Sequence, residues 1–145
     1  TQIILTGGVD DIWQDTRTNQ LIVVDYKSQA KNGRVDKQDY LDDPYHEGYK
    51  IQMDFYAYLL SGMGFDVHPT SYFLVCNAKR DDDGFHKTMN FDEYLVPYNW
   101  NSDRIEGQVD AMVALMNQHE IPEPNDCCKN CAYANQYAKA INTEI

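Results

Sequence analysis

Asp10 and the tripeptide Asp25-Tyr26-Lys27 are the residues of this chain whose types and spacing can do chemistry. Two carboxylates can hold a divalent cation, and a lysine beside them can orient a water or offset developing negative charge. A cation so held polarises a phosphoryl oxygen and generates hydroxide near neutral pH. Hard oxygen ligands suit Mg²⁺ or Mn²⁺, which keep several waters and complete their shell with substrate phosphates. The backbone carbonyl of Tyr26 is a further candidate ligand.

These residues need elements that bring them together. Leu21-Ile22-Val23-Val24 is a continuous apolar, β-branched run too short for a helix, and it reads as a buried strand. Val9-Asp10-Asp11-Ile12-Trp13 reads as its partner, and the polar stretch from Thr16 to Gln20 reads as the turn between them. The hairpin would bring Asp10 to the Asp25 end. Side chains alternate along a strand, so Asp25 and Lys27 share one face and Tyr26 takes the other. Downstream, a helix is expected from about His46 to Ser61, closed by Gly62, with Met53, Tyr56 and Leu60 on one side and Ile51, Phe55 and Leu59 beside them. Gln52 and Tyr56 lie four residues apart on one face of it.

An acidic-x-Lys triplet alone arises by chance about once in a chain of this length. Three elements in order are far more specific: Gly7-x-x-Asp10, Asp25-x-Lys27, and Gln52-x-x-x-Tyr56. Together they resemble the PD-(D/E)XK nuclease superfamily, in particular its RecB-like exonuclease branch with its CRISPR-associated relatives. The resemblance runs from about Thr6 to Leu60. It implies metal ligation by Asp10 and Asp25, a catalytic role for Lys27, and site support or DNA contact by Gln52 and Tyr56. It also implies an Mg²⁺- or Mn²⁺-dependent deoxyribonuclease, in a setting of DNA repair, recombination or phage DNA processing. DNA is then the partner, with a recombination or helicase protein fused or associated. Many members of the branch carry a histidine on a helix before the first strand. This chain starts at Thr1, without an initiating Met, and is expected to be a piece of a longer polypeptide. Its histidines, His46, His68, His86 and His119, all lie downstream.

With 145 residues the chain is expected to form one domain with a single sizeable core. No stretch approaches the ~20 apolar residues of a membrane span and no secretory signal is visible, so a cytoplasmic protein is expected. The net charge of −11 weighs against a protein that wraps a phosphate backbone. Lys27, Lys31, Arg34 and Lys37 nevertheless cluster after the proposed site, either to guide a strand into a cleft or as a solvated loop.

The remainder reads as a mixed α/β domain with a central mixed sheet flanked by helices; the resemblance implies that this is a restriction-endonuclease-like core, expected here to be N-terminally truncated. Tyr72 to Cys76 is a second buried strand. Asp81-Asp82-Asp83-Gly84 makes a turn into a strand beginning near Phe85, and lacks the spacing of a calcium loop. A last helix starts near Ser102 or Asp103, with Ile105, Val109, Met112, Val113 and Met116 expected to pack on the sheet. Residues 120–145 form a cysteine-containing tail. There Cys127, Cys128 and Cys131 are candidate ligands of zinc or an iron–sulfur cluster. Some RecB-like nucleases close a four-iron cluster with a terminal Cys-x2-Cys-x5-Cys, and Tyr137 stands where its third cysteine would fall. Free thiols are the other reading of the tail, Cys76 is read as a small buried hydrophobe, and a structural disulfide is not expected. Two further readings of the whole chain stand beside the enzyme: a non-catalytic nucleic-acid-binding or assembly module retaining the nuclease fold, and a structural domain organised by the cysteines.

Overall fold

A computed structural model describes residues 3–84, 86–120 and 122–142. It divides the chain into two compact units, residues 1–107 and 108–145.

In the first unit, strand β1 (Asp11–Gln14) pairs antiparallel with β2 (Leu21–Gln29) in the register Asp11↔Val24 to Gln14↔Leu21. The turn closes through Asp15, whose N–H donates to Gln20 O at 2.9 Å and whose carbonyl accepts from Asn19 N at 2.7 Å. Asn19 sits at φ 63°, a left-handed conformation that asparagine tolerates well. The expected hairpin is therefore present.

Strand β3 (Thr70–Ala78) runs parallel to β2, and β4 (Phe91–Asn99) runs antiparallel to β3, giving the sheet order β1-β2-β3-β4. Parallel neighbours cannot be joined by a tight turn. The β2–β3 connection accordingly carries helix α1 (Lys37–Asp42), a 3₁₀ turn at Pro44–His46 and helix α2 (Glu47–Gly62). The mixed sheet flanked by helices that the sequence predicts is what the chain forms. Pro97, which has no N–H for a ladder, lies on β4 at the sheet edge, where the loss is tolerated.

The core lies between α2 and one face of the sheet. Met53, Tyr56, Ala57 and Leu60 pack with Val23, Phe73, Val75 and Val96, and Val35 and Tyr40 extend the cluster. Ile51, Phe55 and Leu59 are half-buried at its margin.

Several boundaries differ from expectation. Gly62 is still helical, and the left-handed residue closing α2 is Gly64 at φ 90°; its N–H donates to Ser61 O at 3.0 Å, and Phe65 N donates to Leu60 O at 3.2 Å. This is a Schellman closure, with glycine two positions later than the sequence suggested. Helix α1 lies ahead of the helix expected from about His46 and is an addition to the predicted elements. It forms because Asp36 caps it, accepting from Gln38 N and Asp39 N at 2.8 and 3.1 Å, and because Tyr40 is buried. The strand expected near Phe85, a residue outside those described, begins at Phe91. His86 and Lys87 have positive φ and prolong the loop, and pairing with β3 starts only at Ala78↔Phe91.

Helix α3 (Ile105–Met116) starts slightly later than expected. Of its apolar stripe Ile105 is buried, whereas Met112 and Met116 are exposed. In the second unit the tail forms helix α4 (Lys129–Asn142), and a disulfide joins Cys128, just before the helix, to Cys131 in its first turn, where the sequence predicts no structural disulfide. No helix among the described residues is long and apolar enough to cross a membrane.

Candidate active site

The hairpin register carries Asp10, one residue before β1, to the level of Asp25 on β2. Asp10 Oδ2 accepts the backbone N–H of Tyr26 at 2.9 Å, which fixes one carboxylate against the neighbouring strand while leaving it exposed. Asp25 is different. It is only 1% exposed, and neither oxygen accepts a directed hydrogen bond; the Lys27 ammonium meets Oδ2 as an ion pair.

Buried polar atoms are normally satisfied, so an orphaned carboxylate oxygen beside a second carboxylate needs a reason. Burial pushes the Asp25 carboxyl above its ordinary range; the Lys27 ammonium pulls it back, and Asp10 pushes it up again. A divalent cation would relieve both the burial and the repulsion. The donor set fits one: two hard carboxylates, with space in the shell for water and phosphate. Among the described residues no group of three or more His, Cys, Asp or Glu side chains is arranged to hold a metal. A cation here would rest on the pair.

Lys27 is held from three sides. Besides Asp25, its Nζ donates to Gln52 Oε1 at 3.1 Å and lies 4.5 Å above the centroid of the Tyr49 ring. Gln52 Nε2 in turn donates to Tyr56 OH at 2.7 Å. The helix spacing places Tyr49, Gln52 and Tyr56 on one side of α2, toward β2. Lys27 is thus oriented by a hydrogen bond and a cation–π contact, the latter worth roughly 1 kcal/mol or more when partly desolvated.

Gly7 of the first sequence element meets Tyr56 of the third directly, and Lys27 of the second is linked to Tyr56 through Gln52. A Cβ on Gly7 would lie 2.9 Å from Tyr56 Cε1 and 3.1 Å from its Cδ1, so the glycine gives the segment before Asp10 its close approach to the ring. Asp10, Asp25, Lys27, Gln52 and Tyr56 are all brought into one neighbourhood. Tyr26 offers its N–H to Asp10, while its phenol, on the opposite face of the sheet, donates to Asp11 Oδ2 at 2.5 Å. That bond, followed by one from Trp13 Nε1 at 2.9 Å, holds the Asp11 carboxyl below its usual range.

Sequence reasoning missed Tyr49 and His46. The His46 ring stacks on Tyr49 at 5.1 Å, lies 4.0 Å from the Tyr40 ring, and its Nδ1 is 2.6 Å from Tyr40 O. The available signal was the spacing of Tyr49, three residues before Gln52 and seven before Tyr56. The three candidate cysteines of the tail lie in the second unit. Cys128 and Cys131 are bonded to each other, and Cys127 is a free, exposed thiol, so in this state the three sulfurs are not a set of thiolate ligands.

A family model described as the PD-(D/E)XK nuclease superfamily matches residues 2–136. No curated protein and no solved structure matches the chain significantly.

Proposed function

The chain belongs to the PD-(D/E)XK nuclease superfamily, and on that premise we propose that it is a divalent-metal-dependent deoxyribonuclease of the RecB-like exonuclease type. Its setting would be DNA repair, recombination or phage DNA processing. The observation that carries the reading is the buried Asp25 oxygen, unpartnered and facing Asp10, with Lys27 held alongside.

In this reading Asp10 and Asp25 hold Mg²⁺ or Mn²⁺. When bound, such an ion acts as a Lewis acid on the phosphoryl oxygen and lowers the pKa of water. Lys27 aligns the attacking water and offsets charge developing on the phosphate. Gln52 and Tyr49 keep the ammonium aimed, and Tyr56 keeps Gln52 aimed. The overall charge of −11 opposes DNA, and the cation together with a local basic edge at Lys31 and Arg34 offsets it.

The test is cleavage of linear DNA in Mg²⁺, Mn²⁺ or EDTA by the wild-type chain and by Lys27→Ala. Cation-dependent cleavage reduced about 10²–10³-fold in the variant is expected, the usual cost of removing one charge-stabilising donor. Equal cleavage by both would refute the assignment of Lys27. DNA binding without cation-dependent cleavage, from folded protein, would instead assign a non-catalytic module that retains the nuclease fold.

A further inference from the structure

Three groups hold the Lys27 ammonium, and only two of them, Asp25 and Gln52, belong to the sequence motifs. The third is the Tyr49 ring, whose centroid lies 4.5 Å from Nζ. A cation is drawn to the face of an aromatic ring, so the tilt of that ring sets one direction in which the ammonium is pulled. Something must fix the tilt, because Tyr49 stands half-buried on the first turn of α2.

His46 is placed to do so. Its ring stacks on Tyr49, with centroids 5.1 Å apart and 19° between the planes, and it meets the Tyr40 ring at 4.0 Å. At its edge, Nδ1 lies 2.6 Å from Tyr40 O. A carbonyl only accepts, so Nδ1 carries the proton of that bond. The bond answers a local need. Tyr40 lies in the last turn of α1, and the residue four positions on is Pro44, which has no N–H to give to its carbonyl. His46 occupies the N-cap position of α2 yet makes no side-chain cap there; its donor is turned back to α1 instead. The imidazole is buried and held by two rings and one hydrogen bond.

These contacts close a circuit around the candidate metal site. Tyr40 packs on Phe73 at 5.9 Å, and Phe73 is the β3 residue in register with Asp25. From there the rings run through Tyr40, His46 and Tyr49 to the ammonium that pairs with Asp25. A buried aromatic cluster can serve stability alone, and Phe would then do as well as His at position 46 but for the bond to Tyr40 O. This cluster ends on a charged group beside a buried carboxylate, which packing alone does not require. The Lys27 ammonium acts on the attacking water and on developing charge, so an ammonium pulled off line lowers kcat and leaves KM nearly alone.

We infer that His46 is a positioning residue of the nuclease site: tied to Tyr40 O, it holds the face of Tyr49 against the Lys27 ammonium and so sets where that ammonium points. Its effect on cleavage rests on the nuclease reading above; its effect on Lys27 rests on the ring contacts alone.

The test uses the full chain and three variants. Tyr49→Leu removes the ring over which the ammonium sits. His46→Asn keeps an N–H for Tyr40 O and removes the stacked ring, whereas His46→Phe keeps a ring and removes the N–H. Protons above an aromatic face are shielded, so the Lys27 Cε protons should resonate upfield in the wild type, lose that shift in Tyr49→Leu and lose most of it in His46→Asn. In Mg²⁺ with linear DNA, kcat should fall about 10–10²-fold in His46→Asn, the scale of a displaced catalytic group, with KM nearly constant. His46→Phe should recover most of that loss. A folded His46→Asn with the wild-type Lys27 shift and kcat would overturn the inference. So would equal losses of kcat in His46→Asn and His46→Phe, both folded by their melting curves, because the stacked ring would then be irrelevant. A normal kcat in Tyr49→Leu would overturn it whether or not the His46 variants fold. Wild-type protein that cleaves nothing in Mg²⁺ would end the nuclease reading instead, and the Lys27 shift in the same variants would still decide whether His46 sets the ring.

Discussion

Lys27→Met tests whether the buried Asp25 needs a positive charge beside it. The substitution keeps the length of the side chain and removes the ammonium. Asp25 is 1% exposed and the Lys27 side chain 16%, so the pair is close to the buried limit. Removing one partner of such a pair costs about 3 kcal/mol at neutral pH. For an m value of about 2 kcal/mol/M this is a fall of roughly 1.5 M in the urea midpoint. Both tryptophans, Trp13 and Trp100, lie in residues 1–107, so their fluorescence follows the first unit.

The pH dependence is the sharper part. The folded Asp25 pKa is raised above its unfolded value, first by burial, and losing Lys27 raises it further. A raised carboxyl favours folding below the unfolded pKa of about 3.9, and that benefit disappears as pH rises through the folded value. The cost of Lys27→Met should therefore be large at pH 7 and shrink toward about 1 kcal/mol near pH 4, where the lost Gln52 contact remains. Saturating Mg²⁺ at pH 7 should restore stability to the variant more than to the wild type, by supplying the missing charge. Equal destabilisation at pH 4 and pH 7 would refute the argument.

Further expectations follow from single contacts. Mg²⁺ at a hundred times its Kd should raise the wild-type melting temperature by roughly 5–10 °C, and Asp25→Asn should abolish that shift in a calorimetric scan. Tyr56→Phe removes the acceptor of Gln52 Nε2, and should cost about 1 kcal/mol in urea unfolding while lowering kcat several-fold with little change in KM. Asp36→Ala removes the cap of α1 and should cost about 1 kcal/mol by the same assay. Asp54 is 1% exposed and accepts from Arg104, Tyr98 OH and Asn101 N. Arg104→Ala should cost about 2 kcal/mol, less than a fully buried pair because Arg104 is partly exposed; no loss of stability would show that Tyr98 and Asn101 suffice.

The candidate site is legible in the sequence wherever local rules place the residues. The β-branched run before Asp25 makes a strand, period-two alternation puts Asp25 and Lys27 on one face, and a short polar turn returns Asp10 to their level. The 3.6-residue helical repeat puts Gln52 and Tyr56 on one side of α2. None of this needs a partner distant in sequence. At the end of α2 the sequence offers two glycines, Gly62 and Gly64, two residues apart, and only the backbone path after Met63 separates them.

Tertiary structure decided the rest. That Asp25 is buried with an orphaned oxygen, that Lys27 sits over Tyr49, and that Gly7 must be small because Tyr56 crosses it all depend on α2 lying against β2. Tyr40 reaches Phe73 because the β2–β3 crossover folds α1 back toward the sheet. Such contacts join residues far apart in sequence through packing, and packing has no periodicity for a sequence to display. Residue types and spacing determined which groups could act; only the fold determined which of them lose water, and desolvation is what turns a carboxylate and a lysine into a site.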